Sequence, residues 1–220
     1  HGSPYAAPSA FAGWSALIDP SGEALTDDEV DAFLAAEGDW AIDVARFTVL
    51  KHQHGGAPWT AWPAPLRDRE PEAMAHLDAN HAAAIHDVVR EQAQFNRDWM
   101  RMRDAAGSHG IQLFGDIPFF VAHDSADVWA APDRFLLDAS GEPTVVSGVP
   151  PDYFSEDGQR WGTPLYDWNT HKDEHFAWWR RRMQRMFALF DVVRIDHFRA
   201  VDSAWAIPAG HPTARDGAWA

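Results

Sequence analysis

The stretch FDVVRIDHFRA, residues 190–200, sets Arg194, Asp196 and His197 at the end of an otherwise oily run. Read as a strand over Val192–Asp196, it places Val192, Arg194 and Asp196 on one face and Val193 and Ile195 on the other. Before it, residues 173–190 carry Phe176, Trp179, Met183, Phe187 and Phe190 at amphipathic helical spacing, with those five facing inward. Further upstream GIQLFGDIPFFVA (110–122) reads as a buried strand ending at Asp116, followed by a Pro-marked loop. Between the two strands the sequence predicts a short helix at 125–131 before Pro132. A hairpin follows, of Phe135–Asp138 and Pro143–Val146 around Ser140-Gly141, and then a long irregular loop over 147–168. Strand, helix and strand in alternation predict an α/β fold with a parallel sheet.

Both faces of a parallel sheet are usually covered, so Arg194 and Asp196 are expected to project into a confined space. A guanidinium beside a carboxylate favours the ionised carboxylate. Barrel enzymes keep catalytic groups at the carboxyl ends of their parallel strands, although an Arg–Asp pair can equally cap a strand structurally. Asp116 repeats the arrangement at the other strand end, where Gly115 lets backbone or ligand approach closely. Alone, Asp116 is more often a helix cap or turn former. Two acidic strand ends on one rim make the stronger case.

The first half of the chain reads as helices. Thr26 and Glu29 form a capping box for a helix near 27–37. A second helix fits 40–53, with Trp40, Val44, Phe47 and Leu50 on one stripe and Gly55-Gly56 ending it. After a Trp/Pro-rich connector at 58–71, residues 72–106 are helical, with Ile85, Val88, Gln92, Phe95, Trp99, Met102 and Ala106 recurring at three and four. Ser15–Asp19 is a short strand candidate behind a small-residue N-terminal loop.

Composition limits the function classes. A 220-residue chain with 46% hydrophobic residues can bury a sizeable core. Its charge of −15, from 33 acids against 18 bases, opposes nucleic acid or an anionic membrane as a main partner. The absence of cysteine removes disulfides, thiolate metal sites and Cys nucleophiles, and fits a reducing, cytoplasmic setting. No apolar run approaches a membrane span. His1 is not an initiator residue, so the sequence is expected to begin inside a longer chain.

Histidines invite a metal reading that their spacing does not support. His76, His81 and His86 recur every five residues, which on a helix rotates them around the surface, and His52 and His54 sit at a helix end before glycines. No metal and no cofactor are expected. No phosphate-binding glycine loop or serine nucleophile elbow is present. The loop at 147–168 carries Tyr153, Phe154, Gln159, Arg160, Trp161, Tyr166 and Trp168 beside Asp152 and Glu156. Some of these pack the loop itself. Flat rings beside polar groups also suit a polyhydroxylated neutral ligand, and the twelve tryptophans of the chain add to that picture.

Several long motifs in order then point to one family. SPY with SAFAG and LID near the start, GGAPWTAWPAPLRDR, GDIPFFVAHDSADVWA, VSGVPPDYFSEDGQRWGTPLYDW and VVRIDHFRA together resemble amylomaltase, the disproportionating 4-α-glucanotransferase of glycoside hydrolase family 77, within the α-amylase superfamily. The resemblance implies part of a TIM (β/α)8 barrel with helical and loop insertions. Residues 1–220 would be the first half of the catalytic domain, up to about the fourth strand, with a helical insertion around 25–106. It implies Asp196 as the nucleophile of a retaining transglycosylase, Arg194 as its orienting partner, and His197 as a hydrogen-bonding group for sugar hydroxyls. Asp116 would belong to the floor of that subsite, Tyr5 and Trp161 would be stacking platforms, and Tyr153, Phe154 and Gln159 would cover the acceptor. The implied partners are maltodextrins and other α-1,4-glucans, with glucose or malto-oligosaccharides as acceptors. Ala200 stands where the family pattern leads one to expect Gly, and the segment from Leu25 to Trp40 is shorter than usual. The family's general-acid Glu and second stabilising Asp lie beyond the fourth strand and have no counterpart here, so the 220 residues alone are not expected to turn over. A non-catalytic maltodextrin-binding fragment and an amylase-like hydrolase remain open alternatives, while a metal-dependent barrel hydrolase would require bound metal.

Overall fold

A computed structural model describes residues 24–220 and divides into two compact units, one ending at Leu113 and one running from Phe114 to Ala220. The strand candidate at Ser15–Asp19 and the proposed platform Tyr5 lie outside the described residues.

The first unit is helical. Helix α1, Asp27–Gln53, starts at the expected capping box: Thr26 Oγ1 accepts from the Glu29 N–H, and Glu29 Oε2 accepts from the Thr26 N–H at 2.8 Å. Where two helices were expected, α1 is continuous through Gly38. A helical glycine costs only about 1 kcal/mol, and burial of Phe33, Ala41, Ala45, Val49 and Leu50 along the same helix outweighs it. The deepest side chains are therefore not the whole expected stripe, since Trp40, Val44 and Phe47 are only partly covered. Gly55 and Gly56, both at positive φ, turn the chain after α1, and Lys51 Nζ donates to the carbonyls of Gly56 and Ala57. A 3-10 turn at Trp59–Ala61 and a short helix α2, Ala64–Arg67, lead into α3, Pro71–Ser108, which kinks at His81. Helix α3 packs on α1 through Met74, Leu77, Ile85, Val89 and Ala93. Arg46 pairs with Asp78 through two hydrogen bonds, and Arg69 with Asp43 at 2.6 Å.

The second unit mixes helix and strand. Strand β1 is Phe114–Ile117, followed by helix α4, Ala126–Ala130, capped by Ser125. Strands β2, Val145–Val149, and β3, Gln159–Pro164, pair antiparallel. Helices α5, Trp168–Asp173, and α6, Ala177–Leu189, precede β4, Val192–Ile195. Strands β5, Trp205–Pro208, and β6, Ala218–Trp219, complete the second sheet. Strands β1 and β4 are neighbours in parallel, with Asp116 opposite Arg194. This is the α/β arrangement that the strand–helix alternation predicts. Helix α6 packs against both strands, and a Cβ on Gly115 would run into the Phe190 ring, so that glycine serves helix–strand packing.

Three expectations need correction here. Residues 147–168 are not an irregular loop: β2 and β3 join β5 and β6 in a four-stranded antiparallel sheet of order β3-β2-β5-β6. Its centre is Val146 and Ile207, with Ala214 beneath. In α6 the inward side is led by Trp178, while Phe176 and Phe187 are exposed. Phe176 adopts a left-handed conformation at φ 55° and caps the helix instead of extending it. The hairpin expected at 135–146 reduces to a Leu137–Pro143 bridge around the Asp138 turn.

Candidate active site

The parallel register brings the two acidic strand ends to a single guanidinium. Arg194 Nη1 donates to Asp116 Oδ2 and Nη2 donates to Asp196 Oδ1, each at 2.6 Å. The ladder runs one residue past β4, since the Asp196 N–H donates to the Ile117 carbonyl at 3.0 Å. That bond fixes the backbone from which the Asp196 carboxylate projects. Among the described residues, Asp196 Oδ2 and Asp116 Oδ1 accept no hydrogen bond, so each carboxylate has one tied and one open oxygen.

Asp116, Arg194 and Asp196 are 52–53% exposed, not confined as expected. The reason is that the parallel sheet has only two strands among the described residues. Ion pairs this open contribute about 0–1 kcal/mol each. What the bridge supplies is orientation: a planar fork holds two carboxylates at fixed positions, which a lysine could not do.

His197 follows Asp196 in a left-handed conformation, φ 54° and ψ 44°, and caps the 3-10 turn Phe198–Val201. This backbone costs a non-glycine residue roughly 1–2 kcal/mol, and such strain concentrates at functional sites. The imidazole meets the Trp161 ring edge-on, centroids 4.7 Å apart, and lies 6.1 Å from the Phe120 ring. Burial holds it below the ordinary histidine value although Asp196 pulls the other way, and Arg199 adds a smaller lowering. Its Nε2 is buried with no hydrogen-bond partner among the described residues. The imidazole thus keeps one ring nitrogen for a further hydrogen bond.

Strand β3 presents Gln159 and Trp161 together, with the indole N–H donating to Gln159 Oε1 at 3.0 Å. Tyr153 and Phe154 stand at the tip between β2 and β3, 98% and 93% exposed, with ring centroids 5.7 Å apart. Their loop is built, not loose. Asp152 Oδ1 accepts from the N–H groups of Phe154 and Ser155, and Ser155 Oγ donates to the Gly158 carbonyl. Gly158 has φ +64°, and a Cβ there would collide with the Val149 carbonyl.

Geometry thus joins Asp116, Arg194 and Asp196 by ion pairs, His197 to Trp161 by ring contact, and Gln159 to Trp161 by a hydrogen bond. Tyr153 and Phe154 touch each other at a separate tip. Sequence reasoning missed the wall behind His197, where the Phe120 ring lies 6.3 Å from Trp161 and stacks on Tyr166. The adjacent Phe119-Phe120 and an arginine, Arg182, within the apolar repeat of α6 were the available signals. Among the described residues no group of His, Asp or Glu is placed to hold a metal ion. No described helix is long and apolar enough to cross a membrane.

Residues 21–220 match the model of glycoside hydrolase family 77, described as 4-alpha-glucanotransferase. The chain belongs to this family. It is 48% identical over 200 residues to the 4-alpha-glucanotransferase of Thermus thermophilus, covering 90% of this chain and 40% of that protein. The 4-alpha-glucanotransferase of Synechocystis sp. is 43% identical over 199 residues, covering 90% and 39%. Among solved structures, the amylomaltase from Streptococcus agalactiae in complex with acarbose is similar with a TM-score of 0.83 at 36% identity, covering 87% of this chain and 39% of that one. The chain spans about two fifths of the length of these family 77 relatives. Strands β1, β4 and the β2–β3 pair all lie within the family match.

Proposed function

We propose that this chain carries the nucleophile half of a retaining 4-α-glucanotransferase site acting on maltodextrins. The observation that carries the reading is the Arg194 bridge, which aims two strand-end carboxylates from one guanidinium and leaves Asp196 Oδ2 open among the described residues. In this reading β1 and β4 are neighbouring strands of a (β/α)8 barrel. Residues 1–220 are its first half, up to about the fourth strand, with the helical segment around 25–106 as an insertion.

Asp196 Oδ2 attacks the anomeric carbon of a glucose unit. The bond from C1 to the bridging oxygen breaks, a bond from C1 to Asp196 forms, and a general acid supplied outside these residues protonates the departing 4-oxygen. Arg194 keeps the carboxylate in line, Asp116 lies on the subsite floor, and His197 meets hydroxyls of the ring being cleaved. An acceptor 4-hydroxyl of glucose or a malto-oligosaccharide then attacks C1, gives its proton to the same acid–base group and frees Asp196. Trp161 with Gln159, the Tyr153–Phe154 tip, and Tyr5 offer rings and polar edges to neighbouring glucose units. Excluding water while seating the acceptor favours transfer over hydrolysis. The reaction calls on no cofactor and suits a cytoplasmic α-glucan pool.

Asp196→Asn in the full-length protein tests the reading. Transfer from maltotriose is expected to fall by at least roughly 10⁴-fold while maltodextrin binding persists. Retained transfer overturns the assignment of Asp196. The isolated 220-residue chain, lacking an acid to protonate the leaving group, is expected to show no disproportionation of maltotriose, since that group is worth roughly 10²–10⁴-fold by itself.

A further inference from the structure

Immediately after Ile117, the last residue of β1, the chain turns away through Pro118, Phe119 and Phe120. The carbonyls of this turn are gripped from α6 and from the segment after β3. Arg182 Nη2 donates to the Pro118 carbonyl at 2.7 Å and Nη1 to the Phe119 carbonyl at 3.1 Å. The buried Tyr166 hydroxyl donates to the same Phe119 carbonyl at 2.6 Å, and Arg182 Nη1 lies 3.4 Å from that hydroxyl. The guanidinium is itself seated on rings, 5.3 Å from the centroids of both Trp178 and Trp179. Three hydrogen bonds thus converge on two consecutive carbonyls from two elements distant in sequence.

The turn delivers Phe120, whose ring stacks on Tyr166 at an interplanar angle of 15° and backs both His197 and Trp161. A packed aromatic is only as well placed as its backbone, and this backbone is held by Arg182 and Tyr166. We propose that Arg182 and Tyr166 are positioning residues, fixing the Pro118–Phe119 carbonyls so that Phe120 forms the wall against which His197 and Trp161 are set. The inference rests on the reading of Asp196 and His197 as site residues. Neither Arg182 nor Tyr166 touches the Asp116–Arg194–Asp196 bridge among the described residues. Their effect travels through one turn and one ring.

Loosening the wall lets water reach the His197 imidazole. Burial depresses its titration, and the charged groups facing it, Asp196 and Arg199, remain in place. Hydration then moves the titration upward toward the ordinary value.

The test uses Tyr166→Phe, which keeps the ring and removes one hydrogen bond, and Arg182→Met, which keeps an apolar stem over the tryptophans and removes the other two. Both are made in the full-length protein, with folding checked by near-UV circular dichroism. Histidine-labelled NMR titration, with His197 assigned by its disappearance in His197→Gln, is expected to show the His197 midpoint moving up in both variants, further in Arg182→Met. Arg182→Lys should restore part of the wild-type midpoint. In parallel, kcat for maltotriose transfer should fall roughly ten- to a hundredfold with KM nearly constant. An unmoved His197 midpoint in a folded Tyr166→Phe or Arg182→Met variant overturns the proposal. An inactive wild-type protein with a shifted midpoint in the variants instead overturns the transferase reading and leaves the positioning role standing.

Discussion

Arg194 is the residue on which the site turns, because its fork reaches two carboxylates that a point charge could not serve together. Arg194→Lys keeps the charge and loses the bridge. It should lower the kcat for transfer by roughly a hundredfold while the dissociation constant for maltoheptaose changes little. Equal losses in binding and turnover would show that Arg194 acts on the ligand instead of on Asp196. The neighbouring His197 illustrates a second use of one backbone position. Its left-handed conformation starts the turn after β4, and its ring meets Trp161 edge-on.

At the scale of elements, two local features carry tests. The first is the junction between α5 and α6. His171 is fully buried among the rings of Tyr166, Trp168 and Trp178, and both its ring nitrogens lack hydrogen bonds among the described residues. Burial pushes its imidazole below the ordinary value against the opposing pull of Glu174, the Arg134 backbone and Asp167, while the Arg134 charge adds a smaller lowering. A histidine whose folded value is lowered contributes stability above its unfolded value, about 6.5, and that stability is lost as pH falls below it. The Glu174 carboxyl, held below the usual carboxylate range by Arg134, gives up its contribution only in the more acidic window below about 4.3. Thermal unfolding of His171→Phe between pH 7.5 and 5 should therefore show a smaller fall in Tm than the unsubstituted protein. A parallel fall in both would remove His171 as the source. The second feature is the β2–β3 tip. Gly158→Ala places a Cβ against the Val149 carbonyl at a positive φ, a strain of roughly 1–2 kcal/mol. The expected outcome is a raised KM for the glucose acceptor, read from transfer rates at fixed donor, with donor binding preserved.

These elements also show what the sequence could reveal. The β1 and β4 strand ends were legible because alternation across VVRID separates polar from apolar faces, and because a capping box or a glycine pair marks a helix end by chemistry alone. Strands β2 and β3 were not legible. Pro150, Pro151, Asp152 and Gly158 read as turn formers, and Gln159, Arg160 and Trp161 are all exposed, so no alternation announces a strand. The pairing is specified by backbone register and by contacts with β5, more than forty residues further on. The single helix α1 was split at Gly38 because local propensity weighs a glycine that tertiary burial overrides. Arg182 was hidden for a related reason: an arginine on a tryptophan-lined helix looks solvent-facing until the carbonyls it grips are known.

For the molecule as a whole, the helical unit and the unit from Phe114 onward are each compact, and every group assigned a role among the described residues lies in the second. The family match spans the strand ends that the Arg194 bridge joins. The most direct test of the central claim is to trap the glucosyl-enzyme. The full-length protein is incubated with a slowly reacting fluorinated maltosyl fluoride, digested, and the modified peptide sequenced by mass spectrometry. The account predicts a single added sugar on the carboxylate of Asp196, within FDVVRIDHFR. A stable adduct on Asp116 or on any other side chain, with Asp196 unmodified, would contradict it.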